Sequence, residues 1–302
     1  MAQQKLGLVV LWMTGALLSF SASAVAVREL GQRLTTFEIV SIRSGFGLAV
    51  LLVLIAARAD LRKSLMFKRM GLHLARNSIH FCGTFSWTLA ITLLPFATVF
   101  ALEFTMPMLV ALLAVPMLGE RLTRSRIGSV VMGFLGVLII VRPGFASFQP
   151  AALLVLGAAL AFAISLIQTK MLTRNVNTFT IIFWMCCMQL PMGLAGSDPL
   201  FLAKLDAGTI FPAVVLGTVG LTSHYCLTNA FRAGDATVVV PLDFLRIPLI
   251  AMVGWLFYNE SLDGFVFAGA GLIIAGVLWN LRAESRRPPK GMRPEKAAIA
   301  DA

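Results

Sequence analysis

Four ionisable side chains stand inside long apolar stretches of this 302-residue chain: Arg43, Glu103, Asp243 and Arg246. A charge at the depth of a hydrocarbon core costs at least ~2.5 kcal/mol on insertion scales, so each needs a partner, a watery cavity or a task. Asp243 and Arg246 are three residues apart, share one helical face and can neutralise each other. Arg43 is the candidate counter-ion of Glu103 across a helix interface. Pairs of this kind either fix helix register or line a cavity that holds a small polar molecule or a coupling proton. Near them, His80, Thr84 and Trp87 recur at i, i+4 and i+7, and His224, Tyr225, Thr228 and Asn229 make a second polar and aromatic face. Rings supply contact area and polar tips supply orientation, which is what a metabolite pocket requires. The candidate binding residues are therefore His80, Trp87, His224, Asn229, Asp243 and Arg246, with Glu103 and Arg43 as the coupling site or ion pair. The alternative for each histidine is a packing role with its ring nitrogens satisfied.

No catalytic residue set emerges. There is no glycine-rich phosphate loop, no His-Glu-x-x-His and no nucleophile with a base at argued spacing, so an integral-membrane enzyme and a non-transporting scaffold are minor alternatives. Cys82, Cys186, Cys187 and Cys226 lie in apolar runs without metal-ligand spacing, so neither a disulfide framework nor a metal site is expected, and no cofactor is implied.

The elements that must hold these residues are membrane spans. Hydrophobic residues make up 58% of the chain against 13% charged, far from the globular balance. Apolar segments of about twenty residues, the length that crosses a ~30 Å core, recur ten times: 6–27, 37–57, 72–94, 96–118, 127–141, 151–170, 179–195, 209–231, 237–258 and 264–281. Leu94-Pro95 divides the third from the fourth, because a single helix of that combined length would be about twice the bilayer. Ten spans return both termini to one side. That side collects nineteen of the 25 Lys and Arg residues against four opposite, which predicts cytoplasmic termini. The net charge of +11 is thus a topology signal, and no nucleic-acid partner is expected. Lys5, the first apolar run and Ala22-Ser23-Ala24 mimic a signal peptide, but the run is long for one.

The halves repeat. Gly15-Ala16 with Ser19-Phe20 and Arg28 finds Gly157-Ala158 with Ala161-Phe162 and Lys170 at an offset of 142. Glu103-Phe104 finds Asp243-Phe244, and Glu120 finds Glu260, at 140. Five spans per repeat is an odd number, so the second copy must be inverted relative to the first, an architecture that lets two halves expose one central site to alternate sides. The expected fold is all-α and integral to the membrane: ten transmembrane helices in two inverted five-helix repeats, 6–142 and 150–281, followed by a basic tail, 282–302. Pro107, Pro116, Pro241 and Pro248 punctuate the two spans that carry the acids, where kinks would free backbone carbonyls. Ser129-x-x-x-Gly133 and Gly271-x-x-x-Ala275 predict close packing of the fifth and tenth helices, against each other or in a homodimer.

With Leu-Pro-Phe-Ala (94–97) opening the fourth span, Met-Leu-Gly-Glu-Arg-Leu (117–122) closing it and Gly-Phe-Leu-Gly-Val-Leu-Ile-Ile (133–140) in the fifth, the chain resembles the EamA-type domains of the drug/metabolite transporter superfamily. The second copy departs from the motif with Asn259 and Ser261. The resemblance implies a ten-helix secondary transporter of a small organic metabolite such as an amino acid, with a central cavity, in a plasma membrane and most simply the bacterial inner membrane. Export is the expected direction; import of a vitamin or nucleoside-like metabolite is the alternative.

Overall fold

The computed structural model describes residues 6–118, 123–142, 149–172, 175–233, 242–243 and 245–285. Among the described residues the regular structure is helical, with no strand. The helices are α1 Leu6–Leu30, α2 Thr36–Ala57, α3 Ala59–Ser64, α4 Met70–Leu93, α5 Phe96–Glu103 and α6 Met106–Leu118. They continue with α7 Arg124–Val141, α8 Ala152–Leu172, α9 Thr178–Leu194, α10 Ala207–Ala233, α11 Arg246–Tyr258 and α12 Gly264–Ser285. A 3-10 turn, Phe201–Lys204, precedes α10.

Among the described residues, four helical stretches are long and apolar enough to cross a membrane: Gly7–Leu30, Thr36–Ala57, Ala152–Thr169 and Ala207–Leu227. Five shorter apolar helical stretches accompany them, Phe96–Val110, Ile127–Val141, Phe179–Leu194, Leu249–Tyr258 and Gly264–Asn280. The third expected span, α4, belongs to neither group because its polar residues lower its mean hydropathy. Those residues point inward: His73, Arg76, Asn77, His80, Thr84 and Thr88 are all buried, while Leu74 and Leu93 are exposed. Leu11, Val53, Phe134, Phe211 and Phe257 also face outward. An apolar exterior around a polar stripe is the arrangement a lipid environment favours.

The sequence reading needs one correction here. The expected single span over 96–118 is two helices, interrupted at Phe104 and Thr105. Pro107 has no N–H for the Glu103 carbonyl, so the i→i−4 ladder cannot pass through this point. The chain substitutes a tighter turn, with Thr105 N–H donating to Leu102 O at 3.1 Å and the Thr105 hydroxyl to the same carbonyl at 2.8 Å. The break therefore falls immediately after the buried acid Glu103. Its counterpart Asp243 likewise lies just before the start of α11. Residues 237–241 of the expected ninth span are outside the described residues.

The most extensive helix contacts pair α1 with α10, α7 with α12, α4 with α8 and α2 with α9, followed by α2 with α10, α6 with α8 and α5 with α11. Between α7 and α12 the backbones nearly touch: a Cβ added at Gly136 would lie 2.7 Å from Gly269 O, and one at Gly269 would lie 2.6 Å from Gly136 O. Ser129 meets Gly276 at the same interface, but Gly133 faces Met108 and Gly271 faces open space. The small-residue motifs thus predicted the right helix pair through only part of the right contact.

One end of the bundle is tied by charge. Arg28, at the end of α1, pairs with Glu260 beyond α11 and donates to the carbonyls of Ile91 and Leu94 at the end of α4. Glu260 also accepts the Phe96 N–H at 2.8 Å, and Tyr258 donates to Glu29 at 2.5 Å. Arg142 to Asp263 (2.5 Å), Lys204 to Glu38 (2.6 Å) and Arg33 to Asp206 join further helix ends there. Asn259, which replaces the glycine of the first-repeat motif, adopts φ 52°; asparagine is the next best residue after glycine for this left-handed cap, and the turn delivers Glu260 to Arg28. The equivalent Glu120 lies outside the described residues.

Candidate functional site

At the two helix breaks, three of the four predicted ionisable residues come together. Arg246, the first residue of α11, is 6% exposed. Its guanidinium stands 3.6 Å from Glu103 Oε1 and donates to Asp243 Oδ2 at 3.1 Å. The indole N–H of Trp87 donates to Glu103 Oε2 at 2.8 Å. Phe20, Phe100 and Phe104 surround the arginine, with ring centroids 4.8, 5.2 and 5.2 Å from its central carbon. This is a desolvated cation in an aromatic box, where ring attraction adds to the ion pairs. Two carboxylates against one guanidinium leave a local charge of −1 in the ionised form. Asp243 Oδ1 and Arg246 Nε are buried without a hydrogen-bond partner among the described residues. They are the atoms with unused bonding capacity toward a ligand or water.

Sequence reasoning assigned Glu103 the wrong partner. Its counter-ion is Arg246, not Arg43, because the breaks in the two proline-containing spans bring α5 and the start of α11 side by side. Arg43 instead lines a separate cavity with Ser44, Gly47, Cys186, Gln189 and Gly220. His80 stands between the two regions: its Nδ1 is 2.8 Å from Gln189 Nε2 and 3.3 Å from Thr84 Oγ1, and its ring tilts against Phe162 at 5.5 Å. Two turns along α4 from Trp87, His80 belongs to the Gln189 network rather than to the Arg246 box. Asn229 donates to its own helix at Tyr225 O (2.9 Å) and reaches neither group. His224 falls within α10, but its side chain is outside what is described. Gln189 was missed by sequence reasoning; its signal was a lone amide two residues past the cysteine pair in an apolar helix. A larger cavity, ≈130 Å³, opens at the tied end beside Arg142 and Asp263 and contains none of the predicted site residues.

Among the described residues no group of His, Cys, Asp and Glu is arranged to hold a metal ion. What the Arg246 site can do chemically is recognise charge: carboxylates for a cationic group, a shared guanidinium for an anionic one, and rings for a flat apolar body.

The riboflavin transporter of Rhizobium johnstonii is 30% identical over 291 residues, covering 93% of each chain. The S-adenosylmethionine uptake transporter of Rickettsia bellii is 27% identical over 92% of this chain and 95% of its own. A pseudopaline exporter of Pseudomonas aeruginosa is 28% identical over 86% of this chain and 91% of its own. A solved crystal structure covers 92% of this chain and 98% of its own with a TM-score of 0.60 at 18% identity, a likeness of fold. The EamA-like transporter family matches twice, over residues 7–142 and 149–282, and with nearly the whole chain so covered, this protein belongs to that family.

Proposed function

We propose that the chain is a secondary transporter that moves a small zwitterionic metabolite by alternating access around the Trp87, Glu103, Asp243 and Arg246 cluster. The observation that carries this reading is the convergence of two symmetry-related acids on one arginine where two helices break. Discontinuous helices at a repeat interface are where transporters of this architecture bind their cargo. The two halves, 6–142 and 150–281, are read as inverted five-helix repeats that make ten crossings in all. In support, exchanging the halves turns α1 with α10 into α8 with α4 and α2 with α10 into α9 with α4, and maps α2 with α9, α5 with α11 and α7 with α12 onto themselves. The charge bias supports a reading with both termini in the cytoplasm of a bacterium and the tied end outside. The name of the pseudopaline exporter relative supports export. The names of the riboflavin and S-adenosylmethionine relatives favour import as the second reading. Across the interface of α7 and α12 a homodimer remains a further proposal, since Gly271 leaves an open small-residue face.

Glu103 is the proposed coupling residue. It is held farther from Arg246 than Asp243 is, 3.6 Å against 3.1 Å. The test uses proteoliposomes and a panel of labelled S-adenosylmethionine, riboflavin and the twenty amino acids. The expected result is counterflow of at least one compound above empty liposomes, retained in Glu103→Gln but without response to a pH gradient. No counterflow of any compound overturns the transport reading, and a wild-type gradient response in Glu103→Gln overturns the coupling assignment.

A further inference from the structure

Arg43 is a cation without an anion. Among the described residues no carboxylate lies within ion-pair distance of it. Glu38, five residues before it on α2, is committed to Lys204 at 2.6 Å. From α9 it faces Cys186 and Gln189; from α10 it faces Gly217, Gly220 and Leu221. From α4 the nearest charge is another cation: Arg43 and Arg76 are within electrostatic range of each other, and both act on the Cys186 thiol between them. Arg76 is buried and, among the described residues, bonds only neutral acceptors, Thr169 Oγ1 at 3.1 Å and Asn77 Oδ1 at 2.7 Å. One turn away, His73 is fully buried with neither ring nitrogen bonded among the described residues. Two guanidinium groups inside a helix bundle with no acid are strongly unfavourable alone.

The space beside Arg43 is built. Its cavity measures ≈20 Å³, room for one or two oxygen atoms. Glycines keep it open: a Cβ at Gly220 would stand 3.3 Å from Arg43 Nε, and one at Gly47 would stand 3.0 Å from Cys186 Sγ. Gln189, on the wall of this cavity, is the residue bonded to His80 at 2.8 Å. His80 lies two helical turns, about 10 Å, from Trp87 on α4. His80 and Thr84 thus place polar side chains along α4 between the Arg43 cavity and Trp87, over the length of a small metabolite.

We propose that Arg43, backed by Arg76 and Gln189, is a carboxylate-binding subsite that receives the anionic end of the transported compound. Guanidinium matches a carboxylate in a two-point fork, and a carboxylate, with two oxygens, is the smaller group for a small cavity than a phosphate, with four. This rests on the transport reading for its biological use, but not for its test. The cargo class it defines is an elongated zwitterion or organic acid, with its carboxylate at Arg43 and its cationic or aromatic part at Glu103, Asp243 and Trp87.

The experiment measures thermal unfolding of the purified full chain in detergent with sodium acetate, sodium chloride at equal ionic strength, acetamide, and sodium phosphate. Acetate alone is expected to raise the midpoint, by about 2–4 °C near saturation. Arg43→Gln should abolish that rise and, by removing an uncompensated charge, leave the anion-free protein at least as stable as wild type. Gly220→Ala, which keeps the charge and narrows the space beside it, should also lose the rise. Trp87→Phe should keep it. Equal midpoints in all four solutions, or an acetate rise that survives in Arg43→Gln, overturns the subsite; a larger rise with phosphate overturns the carboxylate assignment. An acetate rise in a protein that shows no counterflow would separate this subsite from the transport reading.

Discussion

Arg246→Gln should be the most damaging neutralisation in the protein, and the geometry says why. At 3.6 Å from Glu103 and 3.1 Å from Asp243, each attraction is about 5 kcal/mol at an effective dielectric near 20. Most of that is consumed by desolvating the ions, so the triad as a whole need not stabilise the fold. Removing only the arginine is different. It strands two carboxylates in the same dry pocket, and the loss expected for a broken buried pair is about 3–5 kcal/mol. The double variant Asp243→Asn with Arg246→Gln still leaves Glu103 with only the Trp87 N–H, so it should be intermediate. The triple variant with Glu103→Gln strands nothing and should lose only the ring contacts of the arginine, up to about 2 kcal/mol. Unfolding midpoints in detergent, read by gel-filtration fluorescence after a heating series, should rank wild type first, then triple, double and single variants. A single variant as stable as wild type, or a triple variant below the single, would refute the claim that one guanidinium balances both acids.

Three further outcomes follow from other parts of the structure. Glu260→Gln removes the charge that Arg28 meets and should loosen the tied end by about 1.5–3 kcal/mol, opening it in a tenfold or larger fraction of molecules; faster modification of a cysteine placed at Thr98 checks this, and an unchanged rate counts against the tie as a latch. Gly269→Leu should destabilise the α7 and α12 contact by several kcal/mol, while Gly271→Ala, facing open space, should be neutral within about 0.5 kcal/mol, and unfolding midpoints that fail to separate the two would contradict the packing. Asp206 caps α10 through Gly208 and Thr209 and pairs with Arg33; the Thr209 hydroxyl, then the backbone amide and the arginine, hold its carboxyl below the usual range. Because the folded value is lowered, the stability this acid contributes is complete above about pH 4 and is lost as pH falls further through the folded value. A pH series of unfolding midpoints should show that acid-side loss reduced in Asp206→Asn.

What the sequence made legible, and what it hid, divides along a physical line. Periodicity and local chemistry read well. The apolar runs located the helices, Leu94-Pro95 marked a true helix boundary, and the small-residue motifs named α7 and α12 as partners. Asp243 and Arg246 met because three residues of one chain segment fix their separation. Cross-helix partners read badly, since spacing along the chain says nothing about which helix lies opposite. Glu103 could be known to need a cation, but choosing Arg246 over Arg43 required knowing that α5 packs on α11 while α2 packs on α9.

That wrong choice is itself informative. Sequence reasoning assumed every buried charge would find a partner of opposite sign, and counted two acids against two arginines. The structure spends both acids on one arginine and leaves Arg43 beside Cys186 and a second cation, Arg76. A chain that only needed to fold would gain by replacing Arg43 with a neutral residue, because an unpaired charge at that depth opposes insertion and packing alike. Its presence is accounted for if the missing anion arrives with the cargo. On that view the negative box at Arg246 and the positive cavity at Arg43 are two ends of one binding site, each left incomplete until a molecule carrying both charges spans them.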